Sequence, residues 1–284
     1  MAERASPAAA PSGSSLIAGT IQRRRAPAGA RLAERALPVL FIVAVLVVWE
    51  IVSILGSVPS YLLPAPTAIF GRILSSWSVL WHNAIVTTSE VIIGFVVGVV
   101  LGIGLAIPIA YSRLVNNMIY PLIIASQAVP KIAIAPLLVL WLGFELGPKI
   151  AVTALMVFFP ITVTAAEGFA SVDRNLLDLL RSVHASPAQI FFRIRFPHAL
   201  PQIFSGLKIG ITLAVVGAVV GEWVGADSGL GYLLVYANTL LDSTLLFAAL
   251  FLLIALGVIL FLIVDVAERL LLPWHHDDAI VIGN

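Results

Sequence analysis

The chain has 284 residues, of which 60% are hydrophobic and only 11% charged, whereas a soluble domain devotes about a quarter of its residues to charge. That balance is the mark of an integral membrane protein. With no cysteine in the sequence, disulfide frameworks, thiolate metal sites and cysteine nucleophiles are excluded, and a net charge of +1 informs only through its distribution.

Residues 1–35 are rich in Ala, Pro, Ser, Gly and Arg without sustained periodicity, and are expected to form a disordered cytoplasmic tail. The apolar run that begins near Leu37 is long enough to span a bilayer and has no small-residue cleavage site after it, so it is expected to be a retained first span. A span needs about 20 mostly apolar residues, and six stretches qualify: 37–55, 88–111, 119–142, 150–166, 203–224 and 245–264. The expected fold is an all-α membrane protein of about six transmembrane helices over 36–274, with a short C-terminal tail over 275–284.

The basic residues fix an orientation. One side of this arrangement collects Arg4, Arg23, Arg24, Arg25, Arg31, Arg35, Arg113, Arg174, Arg181, Arg193, Arg195, Lys208 and Arg269, the other only Arg72 and Lys149. Both termini and the polar stretch 171–201 are therefore expected in the cytoplasm. On the outer side, a Pro-punctuated interfacial piece precedes the second span and carries a short amphipathic helix near 67–77, with Trp77 and Trp81 suited to the aromatic belt. The second span contains Gly94, Gly98, Gly102 and Gly104, a spacing that lets helices approach closely in lipid. In the third, Pro121, Pro130 and Pro136 surround Gln127 and Lys131. Broken backbone of this kind is tolerated where a span lines a cavity.

The stretch 171–201 contains helices of its own. Leu176, Leu177, Leu179, Leu180 and Val183 share one side of a short helix, opposite Arg174, Asp178 and Arg181. Ser186, Pro187 and Gln189 form a new helix start with a capping box. The apolar stripe that follows is Ile190, Phe191 and Ile194, beside the basic Arg193 and Arg195, and Pro197 is expected to stop the helix at Phe196. Two short helices with apolar ridges at a membrane surface suit a soluble partner's groove.

Ionisable residues inside spans are functional candidates by default. Glu50, Glu167 and Asp265 lie near span ends, where a structural role is favoured; Glu90 lies near the outer end of the second span, open between pathway and interface; Lys131 and Glu222 are deeper and could pair, for function or as a structural ion pair. The terminal His275–Asp278 run lacks enforced geometry for a metal, and His184 and His198 are surface residues flanking the second loop helix. None of Lys131, Lys149 and Lys208 ends a P-loop, and no hydrolytic motif is present. Energy for any active transport must come from another polypeptide.

Asp178-Leu179-Leu180-Arg181, Ala185-Ser186-Pro187, Gln189-Ile190-Phe191 and Pro197-His198-Ala199-Leu200-Pro201 together resemble the EAA loop of bacterial ABC importer permeases. The resemblance extends from about Leu62 to Trp274 and is strongest to the branch serving nitrate, sulfonate, taurine and heteroaromatic vitamin precursors. It implies a type I ABC importer permease in a bacterial inner membrane, with 171–201 as a coupling helix-turn-helix in a cleft of a cytoplasmic ATPase. Asp178, Leu180, Arg181, His184, Ala185, Ser186, Ile190, Phe191 and Arg193 would make that contact. Other implied partners are a second copy of the chain and a periplasmic or lipid-anchored binding protein. ATP and Mg would sit on the ATPase, no cofactor on this chain, and no nucleic acid is involved. The pathway or gate would include Glu90, Gln127, Lys131, Glu222 and Asp227, the last in a turn-rich outer segment, 225–231, that dips back toward the pathway. Asp178 stands where the family usually has Glu, Leu179 and Leu180 replace two alanines, and His184 replaces a glycine, so the angle between the two loop helices is open.

The family-like segments favour a permease for thiamine-type pyrimidines or riboflavin, with sulfonate, taurine or nitrate as the alternative. A secondary transporter would be expected to repeat its broken helix in both halves, and the Pro-broken span occurs once. An intramembrane enzyme has no motif here to support it.

Overall fold

The computed structural model describes residues 28–56 and 59–273; the described residues are helical with turns between, and include no strand. Residues 1–27 and 274–284, with the His275–Asp278 run, lie outside them. The chain divides into two contact units at Trp49 and Glu50. The first is α1 (Ala28–Leu55) as far as Trp49. This helix starts inside the stretch expected to be a tail, and from 37 to 48 it is exposed all round, the state of an apolar helix made for lipid.

The second unit contains α2 (Pro66–Ser75), α3 (Trp77–Tyr111), α4 (Arg113–Ser126), a 3-10 turn (Lys131–Ile134), α5 (Ala135–Leu142) and α6 (Leu146–Ala170). It continues with α7 (Arg174–Ser182), α8 (Pro187–Ile190), a π turn (Phe191–Arg195), α9 (Phe196–Gly225), α10 (Leu230–Thr239) and α11 (Ser243–Leu271). Among the described residues five helices are long and apolar enough to cross a membrane, and a sixth span arises if α4 and the segment Lys131–Leu142, bent by 89°, count as one. Six spans were expected, the third broken. The break has a local cause. Pro130 offers no N–H, and the chain before it tightens into 3-10-type bonds from Gln127 to Ile124, Ala128 to Ala125 and Val129 to Ser126.

At the centre lies α6, packed between α3 and α9. Gly98 presents bare backbone to α6, where an added Cβ would fall 2.7 Å from Val157 Cβ and 2.8 Å from the Ala154 carbonyl. On the other side, a Cβ at Gly217 would fall 2.7 Å from Thr153 Cα, and one at Gly221 2.9 Å from Lys149 Cα. These are backbone-to-backbone contacts of the kind that replaces a hydrophobic driving force in lipid. Gly104, the fourth glycine of the α3 series, faces nothing within 4 Å, so only part of that series packs. Two apolar clusters fill the seams, one around Val91, Val157, Ile161 and Ile211, the other around Ala106, Phe169, Ala199 and Ile203.

The 171–201 stretch is a hairpin, as its sequence indicates. Asp173 caps α7 by accepting from the Asn175 N–H at 2.8 Å, and Ser186 and Gln189 form the expected capping box. The helix α7 ends in a Schellman motif: His184 N–H donates to Arg181 O and Ala185 N–H to Leu180 O, both at 3.0 Å. His184 stands at the left-handed position with φ 58°, the conformation that glycine takes at least cost.

One expectation is corrected here. Pro197 does not end the second loop helix. It lies in the first turn of α9, and the helix runs on through the π turn, where Phe196 N–H bonds to Phe191 O five residues back. In an α-helix the Pro197 ring would collide with the carbonyl four residues earlier, and the widened turn admits it. The second hairpin helix and span α9 are thus one 39-residue rod, Pro187–Gly225, about 60 Å long.

Gly98→Leu is expected to destabilise the folded protein by about 1–3 kcal/mol or more, because α3 cannot stay against α6. Gly104→Ala is expected to be neutral or stabilising by up to about 1 kcal/mol. Thermal unfolding of both variants in detergent checks the contrast.

Candidate functional site

Polar side chains meet at two places, one at the hairpin and one at the opposite ends of α3, α6 and α9. In the latter, Asn83, Thr87 and Glu90 occupy one face of α3 and are buried, Glu90 completely. Lys149, in the first turn of α6, is buried as well and donates to Glu90 Oε1 at 2.9 Å. Glu222, near the end of α9, accepts from the Thr87 hydroxyl at 2.6 Å and from the Gly231 N–H at 2.5 Å. The remaining first N–H groups of α10 are also taken by α3: Leu230 N–H donates to Thr87 Oγ1 at 2.8 Å and Gly229 N–H to Asn83 Oδ1 at 2.7 Å.

The N-terminus of α10 is therefore capped by side chains from two other helices, and the carboxylate of Glu222 stands at its positive end. Gly229 (φ 115°) and Gly231 permit this approach, since a Cβ on Gly231 would lie 2.6 Å from Glu222 Oε2. Two carboxylates face one ammonium here, and the helix end supplies the additional positive partner. The turn-rich segment 225–231 thus leads into a helix that is pinned against the span ends.

Lys131 does not pair with Glu222. The break in the third span carries Lys131 to the ring of Phe159 on α6, 5.0 Å from its centroid, while Lys149, which sequence reasoning placed in an outer loop, is the buried cation. Gln127 is exposed at the same break, and Asp227 is exposed in the loop before α10. The five pathway candidates therefore split. Glu90 and Glu222 are buried and bonded between helices, whereas Gln127 and Asp227 are exposed and Lys131 is half-buried.

The span-end carboxylates have structural partners. Glu50 caps α2 through Thr67, accepting from its N–H at 3.1 Å and its hydroxyl at 2.6 Å, and Glu167 accepts from Tyr120 at 2.9 Å. Asp265 pairs with Lys208 at 2.7 Å and Arg269 at 2.7 Å.

At the hairpin, Val172, Leu177 and Ile190 form a small core against which Leu180, Ala185 and Ile194 pack. Ile190 and Leu180, expected to face a partner, thus hold the hairpin's two arms together. Phe191 is turned inward too: its ring lies 5.5 Å from that of Phe169 on α6 and 6.0 Å from Tyr111 on α3. It anchors the hairpin to the spans. The apolar side chains left exposed are Leu176, Leu179, Val183 and Phe192, and among the polar candidates Asp178 and Arg181 form an exposed pair at 3.0 Å. Ser186 is committed to capping, and Arg193 is exposed beside Phe192.

Sequence reasoning missed Asn83, Thr87 and Lys149. A signal was present: Asn83, Thr87 and Glu90 continue at helical spacing into Gly94, Gly98 and Gly102, which marks a single packed face of α3.

Comparison with known proteins is consistent across sequence and structure. A family profile for binding-protein-dependent transport system inner membrane components matches residues 98–274. The chain is 40% identical over 239 residues to the formylaminopyrimidine transport permease protein ThiX of Halalkalibacterium halodurans, covering 84% of this chain and 95% of that one. It is 35% identical over 232 residues to the riboflavin transport system permease protein RibX of Chloroflexus aurantiacus, covering 81% and 87%. A solved chain of the MetNI methionine ABC transporter, in an inward-facing conformation, superposes with a TM-score of 0.61 at 19% identity, covering 69% of this chain and 98% of that one.

Lys149→Met is expected to lower stability by about 3–5 kcal/mol, because Glu90 is left buried and unpaired. The double variant Lys149→Met/Glu90→Leu should recover most of the loss. Unfolding temperatures of the wild type, both single variants and the double variant in one detergent check the cycle.

Proposed function

The chain belongs to the binding-protein-dependent transport system inner membrane components and is a multi-pass permease subunit of an ABC importer, and from that premise we propose how it works. The observation that carries the proposal is the continuous rod Pro187–Gly225. One end of it carries the hairpin; the other carries Glu222, which holds the start of α10. Force applied to the hairpin is delivered along this rod to the opposite membrane face, without an intervening loop to absorb it.

In this proposal a separate ATPase grips the hairpin through Leu176, Leu179, Val183 and Phe192. Closing of an ATPase dimer on ATP displaces the hairpin, and the tilted ring contacts of Phe191 with Phe169 and Tyr111 carry the motion into α6 and α3 as well. The π turn widens the rod between the hairpin and the span, and such turns concentrate at functional positions. The end of the rod then shifts the α10 cap, and a cavity lined by Gln127 and Lys131 changes access from one side to the other. The orientation has the hairpin and both termini in the cytoplasm, by the basic-residue asymmetry.

This pathway is completed by a second copy of the chain related by a twofold axis. Solute is delivered by a binding protein on the outer side, and that protein sets selectivity. The similarity to ThiX and RibX supports a flat heteroaromatic vitamin or precursor as the substrate class, ahead of sulfonate, taurine or nitrate. The charges that a strong anion site would need support this order too, since Glu90 and Lys149 are paired with each other and only Lys131 remains at the break.

Reconstitution with its ATPase and binding protein tests the proposal. Uptake of a pyrimidine or flavin should require ATP and survive collapse of proton and sodium gradients; gradient-driven uptake without the ATPase would overturn it.

Two double variants separate docking from hairpin folding. Leu179→Asp/Val183→Asp is expected to abolish co-purification of the ATPase while leaving the unfolding temperature unchanged. Leu180→Asp/Ile190→Asp is expected to lower both, because it places charge in the hairpin's own core.

A further inference from the structure

A cavity of about 660 Å³ opens where the hairpin meets the span ends, lined by residues of α3, α4, α6, α7 and the π turn. Four of its lining side chains are arginines, Arg113, Arg174, Arg181 and Arg195, against two carboxylates, Glu167 and Asp178. Both carboxylates already have donors, Glu167 from Tyr120 at 2.9 Å and Asp178 from Arg181 at 3.0 Å. Among the described residues Arg113, Arg174 and Arg195 are in no ion pair.

Arg195 is held in place rather than free to extend into water. Its guanidinium lies over the Tyr111 ring, 4.5 Å from the centroid, and one Nη reaches only the Ala110 carbonyl, at 3.5 Å. Its Nε is buried and has no hydrogen-bond partner. A buried donor without an acceptor costs free energy, and a guanidinium stacked on an aromatic ring is a preorganised fork for oxyanions. The cavity also receives the N-terminus of the 14-residue α4, whose first N–H groups and dipole favour negative charge.

From this convergence we infer that the cavity binds a phosphate-bearing anion. Its position names the source. The lining includes Tyr111 at the end of α3, Arg113 at the start of α4 and Ala170 at the end of α6, so the cavity lies at the ends of apolar helices, the level at which spans leave a bilayer. A phospholipid headgroup of the leaflet on the hairpin side can enter there with its acyl chains still in the bilayer. The occupant is an anionic phospholipid, such as phosphatidylglycerol. It would tie Arg195 of the rod to Arg174 of the hairpin and Arg113 of α4, and so set the hairpin's angle to the membrane. The inference uses the membrane-spanning fold and stands whether or not the ATPase assignment does.

The test titrates phosphatidylglycerol and phosphatidylcholine onto the full chain in detergent, read by native mass spectrometry, with inorganic phosphate as a competitor. Phosphatidylglycerol is expected to bind with a defined stoichiometry and preference over phosphatidylcholine. Arg195→Gln should weaken it roughly fivefold, as should Arg113→Gln, an exposed substitution that leaves folding untouched. Millimolar phosphate that displaces the lipid, or that binds alone and is lost in both variants, would keep the anion site and make free phosphate its source. Equal binding of both lipids, or variants with unchanged affinity, would overturn the inference. So would loss of the bound lipid when the ATPase is added, which would assign the cavity to a protein partner.

Discussion

The packing of α6 against the backbones of α3 and α9 is the constraint on which the rest of the structure depends. In lipid, helices gain little from excluding apolar surface, because the solvent is as apolar as they are. Close approach must supply the contacts instead, and it is possible here because Gly98, Gly217 and Gly221 place no side chain between the axes. The buried ion pair of Lys149 and Glu90 follows from that approach. Without it, neither charge would be shielded from the bilayer by a partner at hydrogen-bond distance.

The same packing ties the hairpin to whole spans. Phe191 sits in an aromatic cluster with Phe169 of α6 and Tyr111 of α3, and the rod that carries it is continuous to Glu222. A hairpin joined to the spans by flexible linkers would move without consequence. Here the connection is helical on one side and aromatic on the other. The far end of the rod is as firmly tied, since three N–H groups at the start of α10 are held by Asn83, Thr87 and Glu222. Charged groups deep in the spans thus link helices, Glu90 through Lys149 and Glu222 through Thr87 and Gly231, whereas Gln127 at the break of the third span is exposed.

Polar groups near the hairpin differ in kind from those at the far end. The far cluster is buried and internally satisfied apart from one carboxylate oxygen of Glu90, whereas the hairpin cavity has more cations than anions and a buried guanidinium nitrogen without an acceptor. That asymmetry follows the basic-residue distribution along the chain.

The sequence by itself determined the membrane class, the number of spans, the hairpin with its caps, and the family. Each of these is written in local pattern: runs of about 20 apolar residues, the Ser186–Gln189 capping box, a helical leucine stripe followed by a left-handed position at His184. What only the tertiary structure decided is which member of each pattern faces inward. Four leucines on α7 look alike in sequence, but packing against Ile190 buries Leu177 and leaves Leu179 exposed. Pro197 reads as a helix end until a π turn makes room for it. Lys149 reads as a loop residue and Lys131 as the buried cation, but α6 begins before Lys149 and sets it against Glu90, while Lys131 lies at the break of the third span beside Phe159. Pairing across more than 50 residues depends on helix rotation and depth, which no local pattern records; they are set by backbone contact at glycines that are themselves silent in hydropathy.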